Sequence, residues 1–332
     1  MDLGRASQSR FERHLWSQKW PTLTNWASAP YNPEAITLES LRPLRQYMPE
    51  VSDALLVAGG LGTRMLPASA YLAKENLPLV DVPILVHLAR EAIFAGAKRL
   101  HIITSPGKDL HSITQNHMQL KQKAPYVRDM LLFPTEEVEV FTHVQTEPKG
   151  LGDAIYQALD AVDGPFLVLL GDNLIMNSHH SPNTYHPSNA SKLLVESYRE
   201  KQKPCVGLIE VEQVQHYGIT RLEDDMISEV VEKPDPSNAP SKWALCGRYL
   251  FPSHTKELLD KYDHETHGEL QSIALQQHFI ENEGLVGVRL KNHQWYDAGQ
   301  PMPWLKSQID HALRREDLGT ELRAWLQQRL QR

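Results

Sequence analysis

Cysteine is scarce: Cys205 and Cys246 are the only two in 332 residues. They stand far apart with no CxxC spacing, which leaves no disulfide framework and no structural zinc site and suits a reducing compartment. Long apolar runs are missing too. The opening MDLGRASQSRFERHLW lacks the apolar core of a signal peptide, and no stretch of about eighteen apolar residues occurs later. A cytoplasmic protein with no membrane partner is expected. Basic charge is in deficit, with 34 Lys and Arg against 41 Asp and Glu for a formal charge of -7. With no basic run to neutralise a phosphate backbone, nucleic acid is not an expected partner. Two catalytic signatures are also lacking, since neither an HExxH zinc helix nor a GxSxG elbow occurs in the chain.

What is present is ordinary globular material, 41% hydrophobic and 23% charged, enough for a substantial core. Residues 1–50 carry Trp16, Trp20 and Trp26 among prolines without sustained periodicity. They are expected to form an N-terminal extension that packs on the main domain or on a neighbouring subunit. Residues 51–303 are expected to form the catalytic domain. Residues 304–332 are amphipathic, with Leu305, Ile309, Ala312 and Leu313 on one face and Leu322, Trp325, Leu326 and Leu330 in a second segment, which suits packing or a homo-oligomer contact.

From Asp53 an apolar run, residues 54–58, stops at Gly59-Gly60-Leu61-Gly62, as a buried parallel strand entering a tight loop does. Leu85, Leu88, Ala89, Ala92 and Ile93 follow at helical spacing, Gly96 supplies a C-cap, and residues 100–104 form another apolar run. A second unit has Ala154, Ile155, Ala158 and Leu159 on a helix and residues 166–170 as a strand ending at Gly171-Asp172. The pattern predicts an α/β fold with a Rossmann-like, mostly parallel central sheet flanked by helices. After about Asn189 strict alternation is lost, which predicts a smaller α+β part for a second substrate.

The loop Gly59 to Arg64 sits at the carboxyl end of the first strand, where open parallel sheets bind ligands. Glycines there let backbone N–H groups approach phosphate, and Arg64 adds a planar cation that grips phosphate oxygens in pairs. Neither GxxxxGK[ST] nor GxGxxG fits, because Met65 stands where the second template needs glycine. Asp172 ends an apolar strand, so its carboxylate is expected at the same edge.

The strings AGGLGTRMLPAS and KENLP resemble the signature of the bacterial glucose-1-phosphate uridylyltransferases, within the sugar-1-phosphate nucleotidyltransferase superfamily. Further pieces occur in that family's order: Gln145 with Lys149-Gly150-Leu151-Gly152, Gly171-Asp172-Asn173, Tyr217-Gly218, Val231-Glu232-Lys233-Pro234, Gly247-Arg248-Tyr249, Gly268-Glu269-Leu270-Gln271, Asp297-Ala298-Gly299 and Leu318-Gly319-Thr320-Glu321. The resemblance runs from about Asp53 to the C-terminus. It implies the nucleotidyltransferase fold and condensation of a nucleoside triphosphate, UTP first, with a sugar 1-phosphate, glucose 1-phosphate first, releasing pyrophosphate. It implies Mg2+ on Asp172 and Asp297, with Arg64, Lys74, Asp172 and Lys233 as catalytic groups. It places nucleotide on Ala58, Gly59, Gly60, Gly62, Thr63, Gln145 and Gly150, and sugar phosphate on Gly218, Glu232, Lys233, Gly247 and Glu269.

Several strings depart from that family. Ala73-Lys74-Glu75-Asn76-Leu77-Pro78 replaces PKEMLP, His267 to Ala274 replaces GDEIQLTDA, and Gly171-Asp172-Asn173 is nearer the thymidylyltransferase branch. Two alternatives stay open: a transferase for another nucleotide or for an unusual sugar or cyclitol phosphate, and a non-catalytic paralogue that binds nucleotide or a partner enzyme.

Overall fold

A computed structural model describes residues 50–115, 117–132, 137–261 and 272–331. Residues 1–49, and with them the expected N-terminal extension, lie outside the described residues, as does Glu269.

The first strand, β1 (Asp53–Val57), is apolar after Asp53, whose carboxylate is held by Arg99 at 2.7 and 2.6 Å and by His101 at 2.9 Å. Beside it run β2 (Arg99–Thr104) and then β3 (Glu139–Val144) on one side and β4 (Phe166–Leu170) on the other, all parallel. After β4 come β5 (Asn173–Met176), β6 (Cys205–Glu210), β7 (Gly218–Glu223), β8 (Met226–Glu232), β9 (Trp243–Phe251), β10 (Leu285–Arg289) and β11 (Gln294–Asp297). The nine-stranded sheet has the order β3-β2-β1-β4-β9-β6-β10-β8-β7. It is parallel over its first four strands and mixed beyond, because β9 runs antiparallel to both β4 and β6. That change coincides with the loss of alternation read from the sequence.

Alternation along the strands divides the core in two. Ala54 and Leu56 of β1 and Leu167 and Leu169 of β4 face α1 (Ile84–Ala95) and, later in the chain, α3 (Ala190–Lys201). Leu55, Phe166 and Val168 face α2 (Leu151–Tyr156), α4 (Thr255–Asp260) and α5 (Ser272–Asn282), the last through Leu275 and Phe279. The result is a three-layer α/β/α unit with the sheet in the middle. Helix α1 ends as its sequence requires, at Gly96 with φ 112°, a left-handed conformation that glycine adopts without a Cβ penalty. The C-terminal helices are α6 (Pro301–Arg314) and α7 (Gly319–Leu330). Helix α6 begins three residues before Trp304, since Pro301 occupies its first turn, where a missing N–H costs nothing.

Helix α6 is seated on buried histidines. His87 of α1 and His311 of α6 are 7% and 2% exposed, and His179 meets His311 with Nδ1 atoms 3.0 Å apart. Burial, and then the Arg315 guanidinium, bring His87 down to about 3; burial, with His87 and His179 next, brings His311 to about 3. Both are therefore neutral in the folded chain, while the unfolded chain takes up protons below the ordinary value of 6.5. Their stability contribution is whole above pH 6.5 and is lost as pH falls toward 3. At 1.36 kcal/mol per unit, roughly 2 kcal/mol is lost for each by pH 5. Thermal unfolding followed from pH 7.5 to 5 is expected to show a falling melting temperature; a flat profile would contradict the neutral-histidine seat.

Candidate active site

The register of the sheet sets the site. Val57 of β1 pairs with Leu170 of β4, so the chain leaves both strands side by side, into Ala58-Gly59 and into Gly171-Asp172. This is the crevice where β1 has neighbours reached by crossovers in opposite directions, the place open α/β sheets use for ligands. Gly171 donates its N–H to Val57 O at 2.8 Å, and a Cβ on it would lie 2.7 Å from that same oxygen. No side chain fits there, which is why glycine precedes Asp172.

On the β1 side the loop turns at Gly62, φ 68°, which caps a short 3-10 turn formed by Thr63, Arg64 and Met65. Met65 is buried and anchors the turn, leaving Arg64 exposed. Ala58 is buried, and its N–H is already given to Ile103 O at 2.8 Å. Ala58 therefore ends the strand, and the open backbone begins at Gly59.

Asp172 and Asp297 come from residues far apart in the chain, and a small two-stranded sheet joins them. In it β5 and β11 run antiparallel with Asn173 opposite Asp297. Ala298 N–H reaches Asp172 O at 3.0 Å, and Gly299 N–H donates to Asp297 Oδ1 at 2.6 Å. The point a Cβ on Gly299 would occupy lies 3.0 Å from Asp297 Oδ1, 3.3 Å from Asp172 Oδ2 and 3.5 Å from Arg64 Nη2. Two carboxylates and a guanidinium thus converge on one spot. Lys74 completes the set, with its Nζ 2.6 Å from Asp172 Oδ2. Burial, and after it the Asp172 charge, push the Asp297 carboxyl up, while Arg64 and Lys74 pull the other way.

Such an acid pair suits a hard divalent cation, which prefers oxygen ligands and relieves their mutual repulsion. Among the described residues no group of three or more His, Cys, Asp or Glu is placed to hold a metal. An ion here would take two protein carboxylates and complete its shell from water and substrate oxygens, as magnesium does.

Gln145 lies across the cradle. Its Nε2 donates to Asp153 Oδ2 at 2.6 Å and to Gly150 O at 3.1 Å, which turns its Oε1 toward Gly59, 3.3 Å from where a Cβ there would sit. Gly150 itself has φ 97°. Asp153, which the sequence reading passed over, fixes which way the amide faces.

The residues expected for the sugar group more loosely. Glu232 of β8 pairs with Gly218 of β7, and a Cβ on Gly218 would meet Glu232 Oε2 at 3.1 Å. Lys233 has φ 47° and its Nζ lies 3.5 Å from Glu232 Oε1, both side chains being more than half exposed. Gly247, φ 72°, occupies the register shift in β9, where a Cβ would lie 2.7 Å from Asn173 Nδ2. Tyr217 packs on Trp295 with ring centroids 4.6 Å apart, and Trp295 Nε1 donates to Asn173 Oδ1 at 3.0 Å. Burial, and then the Asp297 charge, raise the Tyr217 hydroxyl. This aromatic pair therefore joins the Gly218–Glu232 edge to the carboxylate pair.

A model of the family described as "Nucleotidyl transferase" matches residues 53–311. The chain belongs to the nucleotidyl transferase family. It is 31% identical over 297 residues to a UTP–glucose-1-phosphate uridylyltransferase of Streptococcus pyogenes, covering 84% of this chain and 96% of that one. Among solved structures it resembles a UTP-bound UGPase from Acinetobacter baumannii, with TM-score 0.68, 26% identity and coverage of 83% and 99% of the two chains. It also resembles a UDP-glucose pyrophosphorylase complexed with UDP-glucose, with TM-score 0.67, 28% identity and coverage of 79% and 98%. The transferase reading and the α/β fold expected from sequence are both borne out. Enzymes of this family generally use a divalent metal. No helix among the described residues is long and apolar enough to cross a membrane.

As a nucleotidyltransferase, the chain should be sensitive at Gly299. A Cβ there touches Asp297, Asp172 and Arg64 at once, while the glycine backbone is not in the left-handed region. Gly299→Ala is therefore expected to fold and to lose roughly 10- to 100-fold in kcat, the scale on which small misplacements act. Steady-state kinetics beside a melting curve checks this, and full activity would mean that the acid pair is not at the reacting centre.

Proposed function

We propose that this transferase joins UTP to glucose 1-phosphate, giving UDP-glucose and pyrophosphate, with Mg2+ held by Asp172 and Asp297. The observation carrying the reading is the meeting of Asp172, Asp297 and Arg64 around Gly299, with Lys74 on Asp172. An oxygen of the sugar phosphate, which is mostly dianionic near neutral pH, attacks the α-phosphorus in line. The new P–O bond forms as the bond to the β-phosphate oxygen breaks, and pyrophosphate leaves with that electron pair.

The chain's own groups position and neutralise. Amides of the Gly59–Gly62 loop receive phosphate oxygens, and Arg64 and Lys74 offset the charge that grows on them. Gln145, oriented by Asp153, reads the base edge, and Gly150 leaves room for the base. Gly218, Glu232 and Gly247 line the place of the sugar, and Lys233 offers a cation to its phosphate. Magnesium, when bound, supplies Lewis-acid stabilisation of phosphate oxygens. The proposed metal is Mg2+, and the proposed setting is a cytoplasmic homo-oligomer.

The test is a pyrophosphate-release assay over a panel of nucleoside triphosphates against a panel of sugar and cyclitol phosphates. Highest kcat/KM for UTP with glucose 1-phosphate is expected. Highest turnover with dTTP or another sugar would move the substrate assignment, and no turnover with any pair would favour the non-catalytic alternative.

A further inference from the structure

The glycine loop rests on a lysine whose ammonium is bonded to the loop's own carbonyls and paired with a buried carboxylate. Lys108, four residues after β2, donates from Nζ to Ala58 O at 2.5 Å and to Gly60 O at 2.8 Å, and meets Glu75 Oε2 at 2.7 Å. Two of the ammonium's three protons go to these carbonyls, and the Glu75 carboxylate beside it balances its charge. Lys108 is thus directed at the backbone of the loop, and its charge is neutralised by Glu75. Lys74, by contrast, spends one close contact on Asp172 and keeps donors for phosphate.

The consequence for the loop follows from peptide geometry. In a trans peptide the carbonyl and the next N–H point in opposite directions. Drawing the carbonyls of Ala58 and Gly60 toward Lys108 therefore turns the N–H groups of Gly59 and Leu61 to the other side, forming a concave anion receptor. Glu75, 1% exposed, stands between Lys108 at 2.7 Å and Lys74 at 3.9 Å, and Lys74 reaches Asp172 at 2.6 Å. Positive and negative charges alternate from beneath the loop to the acid pair. Burial pushes the Glu75 carboxyl up and the Lys108 ammonium down, and each is opposed by the other's charge. Neither partner is tolerated there alone.

We propose that Lys108, seated on Glu75, is a positioning residue that fixes the Ala58–Gly59 and Gly60–Leu61 peptides for the triphosphate and indirectly holds Lys74 against Asp172. It rests on the reading that this loop receives a triphosphate. Neither residue touches substrate, and Glu75 acts only through the two lysines.

Inorganic tripolyphosphate, titrated calorimetrically into the full chain with Mg2+, probes the loop without regard to the base. Lys108→Met, close in length and without charge, is expected to weaken tripolyphosphate binding by about tenfold or more, the scale of a 1.4 kcal/mol loss. In turnover, KM for the triphosphate rises with it while KM for the sugar phosphate stays within about twofold, a split that general destabilisation does not produce. Both KM values rising together, or tripolyphosphate binding by Lys108→Met equal to wild type, overturns the proposal. If Lys108→Met does not fold, Glu75→Gln carries the same reading, weaker binding supporting it and unchanged binding overturning it. Wild-type protein that binds tripolyphosphate but transfers no uridylyl group defeats the substrate reading alone. Wild-type protein that does not bind tripolyphosphate defeats both.

Discussion

Asp172→Asn is expected to lower kcat by about 10³-fold or more and to leave the fold intact. The amide keeps the shape of the side chain but removes the charge that faces Lys74 at 2.6 Å and shares the Gly299 corner with Asp297 and Arg64. A divalent ion loses one of its two protein carboxylates, and the preorganised field at the transferring phosphorus weakens; defects of that kind cost several kcal/mol in barrier. Stability changes little, because the asparagine oxygen can still accept from Lys74 and that lysine keeps the Glu75 carboxylate beside it. Losing the charge also relieves its repulsion on Asp297, whose carboxyl Asp172 helps to raise. Single-turnover kinetics with a melting curve separates the two effects. Activity within about tenfold of wild type would remove Asp172 from the reacting centre.

Glu91→Ala is expected to act on the fold instead. Arg248, fully buried in β9, is gripped by Glu91 through Nε–Oε1 at 2.8 Å and Nη2–Oε2 at 2.9 Å, and Ser191 Oγ donates to the same carboxylate at 2.5 Å. Removing the carboxylate strips a fully buried guanidinium of its counter-charge, which costs about 3–5 kcal/mol. At the few degrees per kcal/mol usual for large domains, the melting temperature falls on the order of 10 °C. Activity suffers as well, because Arg248 Nη2 donates to Asn173 O at 2.9 Å and so holds the residue next to Asp172. Replacing Glu91 and Arg248 together by methionine removes the stranded charge and is expected to recover much of the loss. Calorimetry decides: a melting temperature for Glu91→Ala within about 2 °C of wild type would contradict this role.

The strands that carry the site were legible because each is a short apolar run stopped by glycine. The run 54–58 is offset by one residue from the observed β1, and 166–170 coincides with β4. The edge strand β3 was not read, since its EVFTHV mixes polar and apolar residues and half its positions face solvent. The meeting of Asp172 with Asp297 was expected only through the family resemblance, because no periodicity connects residues so far apart. Pairs closed by the fold alone left less trace. Glu91 and Arg248 are separated by 157 positions, and the one clue is a charged residue within the apolar strand around Leu245 to Phe251. Lys108 gave no signal at all: a lone lysine in a polar loop looks like solvated surface until β1 is laid beside it.

The most direct check is a crystal of the chain grown with Mn2+ and a non-hydrolysable UTP analogue, examined by anomalous diffraction at the manganese edge. A peak bonded to Asp172 and Asp297, with the triphosphate on the Gly59–Gly62 loop, is the expected result. Manganese bound elsewhere, or a triphosphate lying away from that loop, would contradict the assignment of this corner as the catalytic centre.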